Sequence, residues 1–389
     1  MGPGSEMTEL EILKQKGHGN IKFVPASKVY DISWADKKYN VGKIICEAFW
    51  LDGSPIEADP RTVAKRQLAR LKSAGIRLYS GFEIECFIVD AHSSKPVFCN
   101  LKHQMDVTLS EQSALIYDLE THLRDLNINI DTIHTELGPG QFEFCMVPKY
   151  GIEILDDVFI MKDAMKEILP KHDCKPIFMT RPFASEGCAS GCHFNHSLWN
   201  DKGENAFYDP AKSSNMSYIY RYWIGGLIKH TNALAVLCNP TPNCFRRLHT
   251  DWAPSKADWG IDNRMTTFRA KNQGPDGTYL ESRLPSSACN PYIVAAATIA
   301  AGLDGIENKI EPPEMGPAAE DSNSVIPPYA ECIIALKEDA VLVKALGEEF
   351  VEWWIGMKQH EIKRFCDVAV GNISDEDLEA ERNYYFELL

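Results

Sequence analysis

No apolar run in this 389-residue chain reaches the roughly 18 residues that a membrane-spanning helix needs. No secretory leader opens it either, and Met1–Ser5 (MGPGS) reads as a tag remnant with a natural start at Met7. A basic excess is missing as well. The formal net charge is −15, which argues against nucleic acid or an anionic membrane as a partner. A cysteine pattern typical of a disulfide framework is also missing. The 12 cysteines fall singly in apparent strands and helices, as Cys86, Cys145, Cys238 and Cys332 do. That scatter fits reduced thiols in a cytoplasmic protein better than a disulfide framework. There is no internal repeat. What remains is an ordinary globular composition, 44 % hydrophobic, with an acidic balance that serves solubility or gathers carboxylates around cations.

Strand-like IKFVPA and KIICEAFWLDG lead to a clear helix start: Asp59 as N-cap, Pro60 in the first turn, and Gly75 as the stop. The strand IRLYSGFEIECFIVD follows. A helix through SALIYDLETHLRDLNI precedes a hairpin near residue 136, and another in DDVFIMKDAMKEIL precedes the strand KPIFMT. SYIYRYWIGGLIKHTNALAVL reads as one long buried helix and CNPYIVAAATIAAGLDGI as another. The acidic, proline-rich loop EPPEMGPAAEDSNSVIPP comes before two closing helices. Strands and helices mix without strict βαβ alternation, so the class is α+β.

Four places carry chemistry. Glu83 and Glu85 sit two apart, so a strand puts both carboxylates on one face among apolar neighbours. Unpaired, they would be costly, and divalent cations would remove the cost; an edge strand with its acids in water is the equal alternative. In IDTIHTELGPGQFEF, Gly138-Pro139-Gly140 is turn chemistry. Folded back, Glu136 and Glu143 reach one point, although a solvated hairpin has the same pattern. Arg247, Arg264 and Arg269 precede Glu281 and Arg283, a mixture suited to anionic substrates and equally to an ion-pair network. Finally, Cys188, Cys192, His193 and His196 are zinc-type ligands within nine positions, but C-x₃-C-H-x₂-H is not a standard zinc spacing.

Taken in order, GFEIECFIVD, ELGPGQFEF, SGCHFNHSLW, NPTPNCFRRL, DNRMTTFR, LESRLP and NPYIVAAATIAAGLDGIENKI resemble the glutamine synthetase family from about Cys46 onward. AKRQLARLKSAGIRLYSGF and PGQFEFCMVPKYGIEILDDVFIMKDAMKEI are most similar to its lengsin branch, which is regarded as having lost catalysis. The resemblance implies a catalytic domain with an antiparallel sheet and helices over 56–389. A truncated β-grasp-like segment over 19–55 would precede it, after a lead over 1–18. It further implies one divalent cation on Glu85, Glu136 and Glu143 and a second on Glu83, Glu281 and His193, with Mg²⁺ or Mn²⁺ suiting such ligands. ATP would be held by Ser197 and Arg269. Glutamate would be held by Arg247, Arg264 and Arg283, with Arg264 and Glu281 catalytic. The implied activity joins glutamate to ammonia or a primary amine through a γ-glutamyl phosphate, in a ring of ten or twelve copies. The alternative is a lengsin-like inactive protein that keeps the fold and the ring.

The chain departs from the family pattern in four respects. Cys188-Ala189 replace the Asn-Gly that precedes the metal histidine. Trp252 stands where a flap glutamate binds ammonium, an exchange shared by members that use larger amines. Asp276 and Tyr279 stand where basic residues help hold ATP. The acidic latch of the N-terminal domain is expected to be absent, since DGSPIE at 52–57 lies directly before the Asp59 helix.

Overall fold

The computed structural model describes residues 11–17, 19–98, 104–183, 188–248, 250, 252–316, 324–365 and 375–389. Its first strands make two small antiparallel pairs. β1 (Ile21–Pro25) joins β4 (Cys46–Trp50), and β2 (Tyr30–Asp31) joins β3 (Gly42–Lys43). This segment is fastened to the helix Ile152–Ile168: the Trp34 indole donates to Glu167 at 2.8 Å, and Lys43 pairs with Asp163 and Glu167. The expected first long helix forms over Pro60–Ser73. The Asp59 carboxylate accepts from the Thr62 amide at 3.3 Å, and Gly75 takes φ +73° just past the helix end.

A large sheet organises the rest. Its longest strand, β5 (Ile76–Asp90), is followed by β6 (Ile130–Thr135), β7 (Gln141–Met146), β8 (Lys149–Tyr150), β9 (Cys174–Ile177), β10 (Cys192–Asn200), β11 (Trp259–Ile261), β12 (Phe268–Gln273) and β13 (Gly277–Ser282). They lie in the order β11-β12-β13-β10-β5-β7-β6, with β8 and β9 also pairing with β5. All pairs are antiparallel except β11–β12, so the α+β expectation holds with one parallel edge. Alternation along β5 sends Phe82, Ile84, Cys86 and Ile88 into the main core. Helices cover that face.

The helices Tyr218–Lys229 and Pro291–Asn308 approach closely through glycine. A Cβ on Gly226 would lie 2.2 Å from the Ala301 carbonyl oxygen, and one on Gly302 would lie 2.2 Å from the Trp223 ring. Two helix expectations are corrected. The single long helix after Tyr218 is broken at His230 into Tyr218–Lys229 and Thr231–Cys238, because the imidazole ties to Asp304 and Asp339. The chain closes with Tyr329–Glu338, Ala340–Leu346, Glu348–Phe365 and Asp375–Tyr385 among the described residues, rather than two helices. Asp339 and Gly347 punctuate what reads in sequence as a continuous pattern. The acidic loop at 311–328 lies partly outside the described residues.

Candidate active site on the second face of the sheet

The residues of β5 that do not enter the core bring Glu83 and Glu85 to the opposite face, and register sets their neighbours. His193 of β10 lies opposite Glu83, and Glu143 of β7 opposite Glu85. His134 of β6 lies opposite Glu143, and Glu281 of β13 lies between Asn195 and Arg269. Five strands thus deliver one polar patch from residues spread over two hundred positions.

Glu83, His193 and Glu281 offer donor atoms within 4.8 Å of one another. His193 Nδ1 is 3.0 Å from Glu83 and 3.7 Å from Glu281, and the Asn195 amide donates to Glu83 at 2.8 Å. Around Glu143 the compact set is His134, Glu143 and Cys145. Glu85 and Glu136 flank that set. Glu85 Oε2 accepts from the Gly191 amide and from the Gln141 side chain, each at 2.9 Å, and Glu136 lies 3.6 Å from His134 Nδ1. The expected trio Glu85, Glu136 and Glu143 therefore shares the patch, but Glu143 has an imidazole and a thiol as its nearest companions.

Electrostatics shows how crowded the acids are. Burial, with Glu85 and Glu143 nearby, pushes Glu136 up to about 7. Burial also raises Glu85. Burial opposes ionisation of Glu83 too, but hydrogen bonds from His193 and Asn195 outweigh it and hold that carboxyl at about 2. His193 is held above its ordinary value: burial and Arg283 pull it down, and Glu83 and Glu281 outweigh them.

Three expected arginines border the patch. Glu281 accepts from Arg269 and from Arg283, each at 2.8 Å. Arg283 also donates to the Trp252 carbonyl oxygen at 2.9 Å. Arg247 is buried, bonded to the carbonyl oxygens of Arg283 and Leu284, and burial lowers it to about 10. Trp252 is 58 % exposed with φ +67°. Ser197 lies on the same strand face as His193 and accepts from the Trp199 indole at 2.9 Å. Arg264 is different: it is exposed in the loop before β12 and, among the described residues, makes no hydrogen bond or ion pair to the patch.

The zinc knuckle does not form. Strand alternation turns Cys192 and His196 into the core while His193 faces the carboxylates. His196 accepts from the Trp223 indole at 2.9 Å and donates to the Phe194 carbonyl oxygen at 3.2 Å. Burial lowers it to about 4, as expected of a neutral core imidazole. Cys188 instead packs over the hairpin turn, where a Cβ on Gly138 would meet its Cβ at 3.0 Å. His249 and Asp251 of the HTDWAP segment lie outside the described residues.

Sequence reading passed over Asn195, Gly191, Cys145 and Lys271. Asn195 and Cys145 are each two residues along a strand from a chosen ligand, a signal that alternation offers. Lys271 faces Tyr279 across β12 and β13 and donates to Asp262 at 2.6 Å. Gly191 is legible only in three dimensions. A Cβ there would meet Arg247 Nη2 at 2.9 Å, Glu85 Oε1 at 3.0 Å and His193 Nε2 at 3.1 Å.

Residues 57–374 match the family model described as glutamine synthetase, catalytic domain. Human lengsin is 30 % identical over 371 residues, covering 92 % of this chain and 68 % of that protein. Glutamine synthetase of Thermotoga maritima is 31 % identical over 350 residues, covering 86 % of this chain and 79 % of that one. A solved structure described as a GmaS/ADP complex superposes with a TM-score of 0.80 at 27 % identity, covering 88 % of this chain and 82 % of that one.

Proposed function

Because the chain belongs to the glutamine synthetase family, we propose that it is an ATP- and Mg²⁺-dependent ligase that condenses glutamate with ammonia or a primary amine through a γ-glutamyl phosphate. The observation that carries this reading is the convergence of Glu83, Glu85, Glu136, Glu143, Glu281 and His193 on one sheet face beside Arg247, Arg269 and Arg283. The donor set fits hard cations: it is mostly carboxylate oxygen, its like charges crowd one another, and Gly191 leaves open a space that any side chain would fill. Lengsin-type loss of metal carboxylates does not apply to these five glutamates.

Glu83, His193 and Glu281 would hold one cation, and Glu85, Glu136 and Glu143 the other. Such cations supply Lewis-acid polarisation of phosphoryl oxygens. Arg269, fixed by Asp262 and Glu281, and Ser197 would orient the ATP phosphates. Lys271 would add positive charge on the face where Asp276 and Tyr279 have replaced basic residues. Arg247 and Arg283 supply fixed guanidinium groups for the carboxylates of glutamate. Arg264 reaches the transferring phosphoryl group by closure of the loop at 262–267. Trp252 beside Arg283 replaces a carboxylate that would bind ammonium, which favours an uncharged, larger amine as nucleophile.

The catalytic domain would span 56–389, and the short β-grasp-like segment over 19–55 would serve a ring of ten or twelve copies. Exposed Phe23, Val29 and Leu51 on that segment support self-association. Phosphate release with glutamate, ATP, Mg²⁺, ammonia and a panel of amines tests the proposal, with Glu281→Ala as control. Absence of turnover with ammonia and with every amine, and no change on Glu281→Ala, retires it.

A second reading is a non-catalytic protein of lengsin type. The outward Arg264 and the Cys188-Ala189 and Asp276/Tyr279 replacements favour it. Calorimetry separates a chain that binds Mg-ATP without turnover from one that does not bind it.

A further inference from the structure

The His134–Glu143–Cys145 group has a donor chemistry that hard-cation catalysis does not call for. His134 and Glu143 are direct cross-strand partners on β6 and β7, and Cys145 is two residues beyond Glu143 on the same face. Cys145 Sγ lies 3.1 Å from Glu143 Oε1, and His134 Nε2 lies 3.3 Å from the same oxygen. All three donors fall within 4.8 Å of one another. A tetrahedral ion with bonds of about 2.0–2.3 Å places its ligands roughly 3.3–3.8 Å apart, so the group is already near the required spacing. Glu136 Oε1 is 3.6 Å from His134 Nδ1, on the ring nitrogen opposite the one that faces Glu143. A carboxylate on the far nitrogen is the usual outer support of a metal-binding imidazole.

Two ordinary contacts explain part of this. The thiol donates to Glu143, and the imidazole pairs with it. They do not explain why one carboxylate is met by both a sulfur and an aromatic nitrogen while the far ring nitrogen faces the Thr135 carbonyl oxygen at 3.4 Å and Glu136 at 3.6 Å. Imidazole plus thiolate selects zinc-like ions over Mg²⁺.

We propose that His134, Glu143 and Cys145 form a site for a thiophilic divalent cation of the Zn²⁺ or Co²⁺ kind, with a fourth position left for water. The site rests on donor geometry and stands whether or not the chain is a ligase. Since Glu143 is shared with the proposed Mg²⁺ set, occupancy by a thiophilic ion excludes normal filling of that set. Zn²⁺ therefore acts as an inhibitor if turnover occurs.

The test is titration of the full chain with Co²⁺ in excess Mg²⁺, read by absorption. The expected result is a thiolate-to-cobalt charge-transfer band in the near ultraviolet, saturating at one ion per chain. The band is lost in Cys145→Ser and kept in Cys188→Ser, the nearest other thiol of the site loop. Calorimetry with Zn²⁺ should show affinity falling at least roughly tenfold in Cys145→Ser and in His134→Gln, since losing a direct ligand costs no less than losing an outer-shell partner. Thermal unfolding without metal confirms that both variants fold, and His134→Gln decides the matter if Cys145→Ser does not. A wild-type chain with no such band, or a band unchanged in Cys145→Ser, overturns the proposal. Phosphate release with Mg²⁺ is a separate readout, so that failure would leave the ligase reading untouched.

Discussion

Replacing Gly191 with alanine tests the site geometry most directly. The added methyl carbon would sit 2.9 Å from Arg247 Nη2, 3.0 Å from Glu85 Oε1 and 3.1 Å from His193 Nε2, where ordinary contacts to carbon lie near 3.5 Å. All three neighbours must retreat by a few tenths of an ångström, and none is free. Arg247 is buried and held by the carbonyl oxygens of Arg283 at 3.0 Å and Leu284 at 3.3 Å. Glu85 is held by the Gly191 amide and Gln141, and His193 by Glu83. Backbone conformation is no obstacle, since φ at residue 191 is not positive. The cost is therefore one of overpacking, about 1–3 kcal/mol, and for a chain of this size the melting temperature should fall by a few degrees. Displacing a guanidinium, a carboxylate and an imidazole together should lower phosphate release by up to about 10²-fold, the loss that a misplacement of about 1 Å would bring. Differential scanning fluorimetry and the coupled phosphate assay read the two effects separately. Unchanged melting and unchanged turnover would refute the packing around Gly191. A lowered melting temperature with full turnover would show that these three groups do not act on substrate.

Gly226→Ala should destabilise at or above the upper end of the roughly 1–3 kcal/mol range, since its Cβ meets the Ala301 carbonyl oxygen at 2.2 Å and backbone cannot swing aside; chemical denaturation measures it. Arg61→Ala should cost about 3–5 kcal/mol in the same assay. It strips a buried guanidinium from Asp156, which it binds at 2.9 and 3.1 Å, leaving that carboxylate with the Tyr292 hydroxyl in place of a cation, while Glu47 keeps Lys65 at 2.6 Å. His230 lies between Asp304 and Asp339, and although burial pulls its pKa down, the two carboxylates hold it above 6.5. A folded pKa raised in this way gives stability that is full below pH 6.5 and lost as pH climbs through the folded value. His230→Gln should therefore lower the urea midpoint more at about pH 6 than at about pH 9, and an equal loss at both would refute the pairing.

Local signals made much of this molecule legible. The Asp59-Pro60 start and Gly75 stop define a helix by backbone hydrogen-bond needs that act over a few residues, and they appear as expected. Period-two spacing put Glu83 with Glu85, and His134 with Glu136, because side-chain direction on a strand is a local property. What sequence withheld depends on distant partners. The break at His230 comes from Asp304 and Asp339, over seventy positions away, and nothing in the apolar pattern around it marks a boundary. The pairing of Glu281 with both Arg269 and Arg283 could be read as an ion-pair network or an anion site, and only register distinguishes which arginine meets which oxygen. Arg264 has the right type and order for the site yet lies exposed, because it falls in the loop between β11 and β12 rather than on a strand.

The acids themselves argue that this face is built for cations. A buried carboxylate is tolerated when donors surround it, as Glu83 is by His193 and Asn195 and Glu281 is by two arginines. Glu136 accepts from the Leu137 amide at 3.2 Å and lies 3.6 Å from His134, yet burial and the charges of Glu85 and Glu143 raise it to about 7. One group beside the sheet is thus held against ionisation by its own neighbours while Arg247, whose charge favours ionised Glu85, is committed to two carbonyl oxygens. An apolar residue at 136 would relieve that crowding, at the loss of the bond from the Leu137 amide. Carboxylates kept where the fold alone would favour their removal are what a site for divalent ions requires, and any ion that binds only the folded chain adds its own stabilisation in return.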